Sequence, residues 1–260
     1  MTSKENNKET IDFFEKNNYF GYPKNNINFF LQGELPLIGE DKEFLLDKEG
    51  KIQFASDGNG SIYHSLKKNG ILEEMKHKEI EWVYICSVDN ILLKMVEPIL
   101  LGLTVEEKNE IASKTIVKKS PDEKVGVFCK KNSKPSVIEY TELPSEMAEM
   151  VDENNELVFG ESHIMCNLFS INALEKIADK VLQYHIAFKK NNHYIDGKLI
   201  EANEPNSYKF EQFIFDSFPF FENITLLRGK REEDFAPIKN KEGNDSPKTA
   251  ADLYNNYWNC

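Results

Sequence analysis

The sequence predicts an α/β fold in which helices pack on a mixed, mostly parallel sheet, and three features support this. Strand-like apolar segments alternate with amphipathic segments, an order typical of layered α/β domains. Residues 81–88 (EWVYICSV) form an almost continuous apolar run, as expected of a central strand buried on both faces. A turn with two glycines, Asp57-Gly58-Asn59-Gly60, separates an earlier strand from a helix.

The remaining elements follow in order without an internal repeat. Residues 10–16 predict a helix, residues 28–32 and 51–55 predict strands around a polar hairpin, and residues 62–78 predict a helix interrupted near Gly70. Shorter apolar segments predict further strands at 114–117, 125–129, 136–140, 157–159, 164–169 and 224–227. Amphipathic segments predict further helices at 172–183, 210–217 and 248–258. Residues 240–247 are polar and rich in turn formers, and they predict a linker before the last helix.

Charge and composition narrow the class of partner. The formal net charge of -12 argues against nucleic acid or an anionic membrane as the main partner, although a few lysines and a divalent cation can still hold a nucleotide. No apolar run reaches the ~18 residues that span a bilayer, and the first residues contain no apolar signal segment. We therefore expect a soluble, cytoplasmic protein.

The cysteines and histidines give little support for a metal site. The four cysteines include no Cys-x-x-Cys pair and favour buried reduced thiols over a disulfide or a zinc site: Cys86, Cys129, Cys166 and Cys260. The five histidines are scattered without the spacing of metal ligands.

Three local features could carry chemistry. Glycines beside Asn59 would let a ring or a phosphate approach the backbone, although the same residues also suit a plain turn. Asp89 follows the most apolar strand, where it could bind Mg²⁺ or cap the next helical segment. Lys209 and Lys239 lie in mixed apolar and turn-forming contexts, unlike the solvated lysines elsewhere in the chain.

The order of these features, with the motifs between them, resembles the eukaryotic-type UDP-N-acetylglucosamine pyrophosphorylases over essentially the whole chain. The resemblance is carried by the following segments: Gln32-Gly-Glu-Leu-Pro36, Asp57-Gly-Asn-Gly-Ser-Ile-Tyr63, Tyr84-Ile-Cys-Ser-Val-Asp-Asn90, Val125-Gly-Val127, Val137-Ile-Glu-Tyr-Thr-Glu142, Lys189-Lys190, Pro205-Asn206, Lys209-Phe-Glu-Gln-Phe-Ile-Phe-Asp216, Arg231-Glu-Glu-Asp-Phe-Ala-Pro-Ile-Lys-Asn240 and Asp245-Ser-Pro247. It implies an incomplete three-layer, Rossmann-like nucleotide-diphospho-sugar transferase fold. Residues 1–245 would form part of the catalytic domain, and residues 246–260 a linker and terminal helix.

The resemblance also implies roles for individual residues, with UTP and a hexosamine 1-phosphate as substrates and Mg²⁺ as cofactor. Gln32 and Gly58 would contact the uracil and Asn59 the sugar, while Asp89 would hold Mg²⁺ and the nucleotide phosphate. Lys209 would meet the α-phosphate of UTP, and Lys239 the phosphate of the sugar 1-phosphate. The sugar pocket would be lined by Gly126, Glu139, Tyr140 and His163.

Two departures from the family pattern keep alternatives open. The family's Leu-x-Gly-Gly-x-Gly-Thr-Arg phosphate loop has no match here, so a longer polypeptide or a partner chain would have to supply it, or the chain would be a non-catalytic uridine-sugar-binding remnant. Ser162-His163 stands where family members usually carry an Asn near the N-acetyl group, which leaves another hexose 1-phosphate, such as glucose 1-phosphate, as a substrate. A glycosyltransferase is less favoured because the sequence has no Asp-x-Asp motif.

Overall fold

The computed structural model describes residues 1–259, and contacts between Cα atoms group them into two compact units. The first unit contains Met1–Glu79 and Glu175–Ser217, and the second contains Ile80–Leu174 with the residues from Phe218 onward. Strands and helices occur in both units, so the predicted α/β class is confirmed. Among these residues no helix is long and apolar enough to cross a bilayer, and the expected cytoplasmic location stays a prediction.

The segment before residue 80 contains three α-helices and three short strands, besides three 3-10 turns: α1 (Asn7–Lys16), β1 (Glu34–Pro36), β2 (Ile38–Gly39), β3 (Phe54–Ser56), α2 (Ile62–Lys68) and α3 (Ile71–His77). The predicted helix at 10–16 and the break near Gly70 are confirmed. The predicted strand at 28–32 is wrong, because this segment makes only one isolated bridge, between Thr2 and Leu31.

Residues 80–174 supply most of the larger sheet: β4 (Trp82–Cys86), α4 (Pro98–Glu106), β5 (Ile111–Val117), β6 (Val127–Lys131), β7 (Lys134–Ile138), α5 (Ser145–Ala148) and β8 (Glu161–Ser170). The strands expected at 114–117, 125–129, 136–140 and 164–169 all coincide with parts of these elements. The strand expected at 157–159 is wrong, because Leu157 makes only an isolated bridge to Val151.

The remaining elements are α6 (Ile171–Ile177), β9 (His185–Lys189), β10 (His193–Ile195), β11 (Lys198–Ile200), β12 (Ser207–Glu211), β13 (Thr225–Arg228), α7 (Arg231–Asp234) and α8 (Pro247–Trp258). The helix predicted at 210–217 is wrong over its first residues, and only 214–217 are helical. Phe210 and Glu211 extend a strand that pairs with β9, and a 3-10 helix follows at Ile214–Phe220. The pairing available from β9 outweighs the local helical pattern.

In the first unit, β12 lies between β2 and β9 in an antiparallel sheet, and β1 pairs with β3. The packing beside these strands is anchored by Tyr63 of α2, which is 2% exposed. Its hydroxyl donates to the Ile214 carbonyl at 2.8 Å and also contacts the Ser217 hydroxyl. These bonds tie α2 to the residues that follow β12.

The sheet of the second unit has the order β13-β5-β8-β6-β7, with β4 also paired to β8. Only β13 and β5 are parallel, so the expectation of a mostly parallel sheet is corrected. β4 is antiparallel to β8 and half-buried along its length, instead of buried on both faces. Within residues 1–259, no strand pairs with its other edge.

The last helix packs within the second unit. Ser246 and Thr249 form a capping box at its start, and Ala250 packs in a small core with Leu92 and Ala236. A domain boundary at residue 245 stays a prediction, since residues 246–259 join the second unit through this core.

Candidate functional site

In the first unit, the turn at Asp57–Gly60 lies against the backbone that follows β12. The Gln212 N–H donates to the Asp57 carbonyl at 2.8 Å, and the Gly60 N–H donates to the Gln212 carbonyl at 2.8 Å. The glycine-rich segment and the residues after β12 therefore form one backbone-paired structure, which local sequence reasoning did not foresee.

Gly58 allows this close approach. Its φ is +91° with ψ 170°, a conformation that is essentially restricted to glycine. A Cβ atom at this position would lie 2.3 Å from the Gln212 carbonyl oxygen. Glycine is therefore required here by both the backbone conformation and the space available.

Asn59 has a structural task in the same turn. Its Oδ1 accepts the Ile214 N–H at 2.8 Å, across 155 positions of sequence. This bond satisfies a backbone donor at the start of the 3-10 helix. The predicted contact of Asn59 with a sugar stays a prediction.

Lys209 and Gln32 lie close to this turn. The Lys209 Nζ is 3.3 Å from the Ser56 hydroxyl and 3.0 Å from a Glu211 carboxylate oxygen. Strands β1 and β3 pair Glu34 with Ser56. Next to this pair, the Asp57 N–H donates to the Gly33 carbonyl. Gln32 directly precedes Gly33 and therefore lies near this turn. The first unit thus collects Gln32, Gly58, Asn59 and Lys209 in one region.

Asp57 is a residue in this region to which the sequence analysis gave no role of its own. Its Oδ1 is buried without a hydrogen-bond partner, and burial raises the pKa of the carboxyl group. Buried polar atoms are normally paired, so this oxygen marks a place where a further donor could bind. A charged residue inside a glycine-rich turn was the available sequence signal.

In the second unit, Asp89 follows β4 and is anchored to the segment that carries Lys239. The Ile238 N–H donates to the Asp89 carbonyl at 2.8 Å, and Asn90 and Pro237 form an antiparallel bridge. The Asp89 carboxylate accepts a hydrogen bond from the Ser87 hydroxyl. Lys239 is exposed, with its Nζ 5.9 Å from the centre of the Phe235 ring.

A buried polar network holds these two segments together. Asn90 donates through Nδ2 to the Asp234 carbonyl and accepts the Ala236 N–H on Oδ1, both at 2.8 Å. The Asp234 carboxylate lies 2.6 Å from the Nζ of Lys114, which also contacts Glu97 at 2.9 Å. A lysine in the middle of a strand that begins and ends with apolar residues was the sequence signal for this network.

Gly126, Glu139 and His163 meet on the sheet of the second unit. The His163 N–H donates to the Gly126 carbonyl at 2.9 Å, and a Cβ on Gly126 would lie 3.1 Å from a Glu139 carboxylate oxygen. The side-chain hydroxyl of Ser162, next in sequence to His163, is buried without a partner.

The imidazole of His163 lies inside the protein. It is 7% exposed, packs edge-on against Phe128 and Phe218, and contacts Asn167 Oδ1 at 3.0 Å. Burial lowers the pKa of His163 to about 4, so the ring is neutral at physiological pH. Its predicted contact with a sugar stays a prediction, and the buried ring in this structure contributes to packing.

Tyr140 is 43% exposed and borders a cavity of about 210 Å³. The buried side chain of Lys118 and the acidic residues Asp122, Glu123 and Glu149 also line this cavity. Of the four residues predicted to line the sugar pocket, Tyr140 is the one that lines this cavity.

The donor set fits a magnesium ion held by one carboxylate together with phosphate oxygens. Asp89 supplies a partly buried carboxylate beside the Lys239 segment. Among residues 1–259, no group of three or more His, Cys, Asp or Glu side chains is placed to hold a metal by itself. Lys209 belongs to the other unit, and its convergence with Asp89 and Lys239 stays a prediction.

Comparisons with known proteins show which family the chain resembles. The chain is 36% identical to the UDP-N-acetylglucosamine pyrophosphorylase of Saccharomyces cerevisiae over 264 residues, covering 98% of this chain and 55% of the yeast protein. The chain is also 36% identical to the UDP-N-acetylglucosamine diphosphorylase 2 of Arabidopsis thaliana. That match covers 96% of this chain and 50% of the Arabidopsis protein. The chain thus spans about half the length of the curated relatives it matches.

Solved structures give the same result for the fold. A structure assigned as a UDP-N-acetylglucosamine pyrophosphorylase from Entamoeba histolytica matches with a TM-score of 0.90 at 35% identity, covering 98% of this chain and 64% of that one. The model of the family described as UTP--glucose-1-phosphate uridylyltransferase matches residues 1–255. The chain is therefore a member of the UTP--glucose-1-phosphate uridylyltransferase family.

Proposed function

We propose that this chain forms the uracil- and sugar-1-phosphate-binding part of a UTP:N-acetylglucosamine-1-phosphate uridylyltransferase. The observation that carries the proposal is the match along 96–98% of the chain to relatives named for this activity. The reaction joins the sugar phosphate to the α-phosphorus of UTP and releases pyrophosphate, forming UDP-N-acetylglucosamine. Both reactants are anions, so positioning and charge neutralisation supply most of the catalysis.

The proposed roles follow from the residue types. Lys239 would bind the phosphate of the sugar 1-phosphate, and Lys209 the α-phosphate of UTP. Asp89 would hold Mg²⁺, which supplies further neutralisation of phosphate charge when bound. Gln32 and Gly58 would contact the uracil, and Asn59 the sugar. The sugar would bind near Gly126, Glu139, Tyr140 and His163.

A second part of the proposal is that additional polypeptide, in the same chain or in a partner chain, supplies the glycine-rich phosphate loop. The chain spans about half of its relatives, and β4 has a strand on only one edge among residues 1–259. Apolar side chains near β4 and α4 are exposed: Val88 (99%), Met95 (68%), Val96 (76%), Ile99 (62%) and Val105 (55%). An open strand edge beside exposed apolar side chains is typical of a surface that another segment covers.

The alternative is a non-catalytic module that binds a uridine sugar without turning it over. The missing phosphate loop favours this alternative for the isolated chain. The identity of the sugar is a separate choice: Ser162-His163 stands where family members usually carry an Asn near the N-acetyl group, which leaves glucose 1-phosphate as a further candidate.

Binding of UDP-N-acetylglucosamine to the purified chain, measured by calorimetry with Mg²⁺, tests the proposed site. We expect Lys239→Met to weaken binding about 10-fold or more, since a lysine–phosphate hydrogen bond between charged groups contributes about 1.5–3 kcal/mol. Lys241→Met is the matched control, because Lys241 is exposed and lies two positions away. Equal affinity of the two variants would contradict the role of Lys239.

Pyrophosphate release separates the enzyme from the binding module. The assay combines UTP, Mg²⁺ and either N-acetylglucosamine 1-phosphate or glucose 1-phosphate. We expect no turnover by the isolated chain, and turnover once a segment carrying the glycine-rich loop is added. Turnover by the chain alone would disprove the need for that segment, and no turnover in either case would favour the binding module.

A further inference from the structure

Cys86 and Cys166 face each other across two antiparallel strands. Cys86 is the last residue of β4, and its Cα partner in β8 is Cys166. Their sulfur atoms are 3.9 Å apart. Both are free thiols in this structure, and the sequence analysis expected them to stay reduced.

Antiparallel strands contain hydrogen-bonded and non-hydrogen-bonded residue pairs, and the Cα atoms are closer in the second kind. The register places Cys86 and Cys166 in the second kind. The Ser87 N–H donates to the Met165 carbonyl and the Ile171 N–H donates to the Glu81 carbonyl. Odd-numbered residues of β4 therefore occupy the hydrogen-bonded positions, and Cys86 and Cys166 form a non-hydrogen-bonded pair. The Cα atoms of such pairs lie about 4.5 Å apart, within the range of disulfides.

β8 is irregular at this position, which gives the pair room to adjust. The register between β5 and β8 shifts between Ser113 and Thr115, and Met165 has a φ of +53°. One residue of β5, Lys114, lies opposite three residues of β8, 164–166, so the ladder is interrupted beside Cys166. This part of β8 is therefore less constrained by backbone pairing to β5 than the rest of the strand.

The chemical surroundings differ between the two sulfur atoms. Cys166 is 0% exposed among Ile116 and Ile164, whereas Cys86 is only partly buried. The hydrogen bond with Cys166 lowers the pKa of Cys86. The hydrogen bond with Cys86, together with burial, raises the pKa of Cys166. Cys86 is thus the accessible nucleophile and Cys166 the sheltered thiol behind it.

We propose that Cys86 and Cys166 form a site of reversible oxidation, joined by a cross-strand disulfide when the protein meets a peroxide. The Cys86 thiolate attacks a peroxide oxygen, which breaks the O–O bond and leaves a sulfenic acid. The Cys166 thiol then attacks the Cys86 sulfur and water leaves, so two thiols and one hydrogen peroxide give one disulfide and two water molecules. The site follows from strand register alone and does not depend on the proposed function.

Peptide mapping of the wild-type chain after hydrogen peroxide treatment tests this directly. We expect the peptides containing Cys86 and Cys166 to be joined, and the free-thiol count to fall from four to two. Dithiothreitol should restore all four thiols. Unmodified Cys86 and Cys166 after oxidation at Cys129, or a crosslink only between molecules, would overturn the proposal.

Serine variants provide the second test. Cys129→Ser should still lose two thiols, because Cys129 lies on β6 and is not part of the pair. Cys86→Ser and Cys166→Ser should each lose the crosslinked species completely. A crosslink to a different cysteine in these variants, at the wild-type rate, would show that the β4–β8 register is not what directs oxidation.

Discussion

The two regions that collect the predicted binding residues are built in opposite ways. In the first unit, backbone atoms of the Asp57–Gly60 turn bond to the backbone at Gln212, and Gly58 leaves the space for this approach. In the second unit, the Asp89 and Lys239 segments are joined by buried polar side chains, with Asn90, Lys114 and Asp234 at the centre. The region in the first unit depends on the absence of a side chain at Gly58. The region in the second unit depends on charged side chains that are paired and buried.

The difference determines how each region should respond to substitution. A backbone-built turn is disrupted when a side chain is added, because neither the carbonyl nor the strand behind it can move away easily. A buried ionic network is disrupted when one charge is removed, because its partner then lacks compensation. The predictions below test this contrast, starting with the largest expected effect.

Lys114→Met should lower the free energy of unfolding by about 3–5 kcal/mol, because it leaves the buried carboxylate of Asp234 and the partly buried carboxylate of Glu97 without their main partner. Urea denaturation monitored by circular dichroism measures the loss. Lys8→Met is the control: Lys8 also lies 2.6 Å from its partner, Asp12, but both are exposed, so we expect little change. If the two variants lost similar amounts of unfolding free energy, burial would not explain the cost of removing the lysine from an ion pair.

Gly58→Ala should lower the free energy of unfolding by about 3 kcal/mol or more, since strain at this backbone conformation adds to the clash with Gln212. Gly70→Ala is the matched control, because Gly70 also has a positive φ (+74°) but no atom within 4 Å of the added Cβ. It should cost only about 1–2 kcal/mol. Equal losses would mean that backbone conformation, and not close packing, explains Gly58.

His163 should make the second unit sensitive to acid. Its pKa is lowered from 6.5 to about 4 in the folded protein, so the unfolded chain binds a proton in this window that the folded chain does not. Stability from this group is complete above pH 6.5 and is lost as the pH falls towards 4, by about 3 kcal/mol in total.

Comparing unfolding free energies at pH 7 and pH 4 in wild type and His163→Asn checks this sign and size. The loss on acidification should be smaller in the variant by about that amount. If the unfolding free energy fell equally between pH 7 and pH 4 in wild type and variant, His163 could be protonated without unfolding the protein.

Local signals were sufficient for part of the fold. The break between α2 and α3 was predicted from Gly70, and β4 from its apolar run, because turn residues and hydrophobic periodicity act over a few positions. The start of the 210–217 segment was predicted incorrectly as a helix, because its amphipathic pattern competes with strand pairing to β9. Pairing between distant segments cannot be read from a local window.

By itself, the sequence determined the α/β class, the family resemblance and the residue types suited to phosphate binding. These depend on which residues are present and on their spacing. The tertiary structure decided which of them lie together: Asn59 with Ile214, Lys209 with Ser56, and Asp89 with Ile238. It also placed His163 in an aromatic core and Cys86 opposite Cys166. The physical reason is that burial and long-range pairing depend on which segments pack together, and that is settled only when the whole chain has folded.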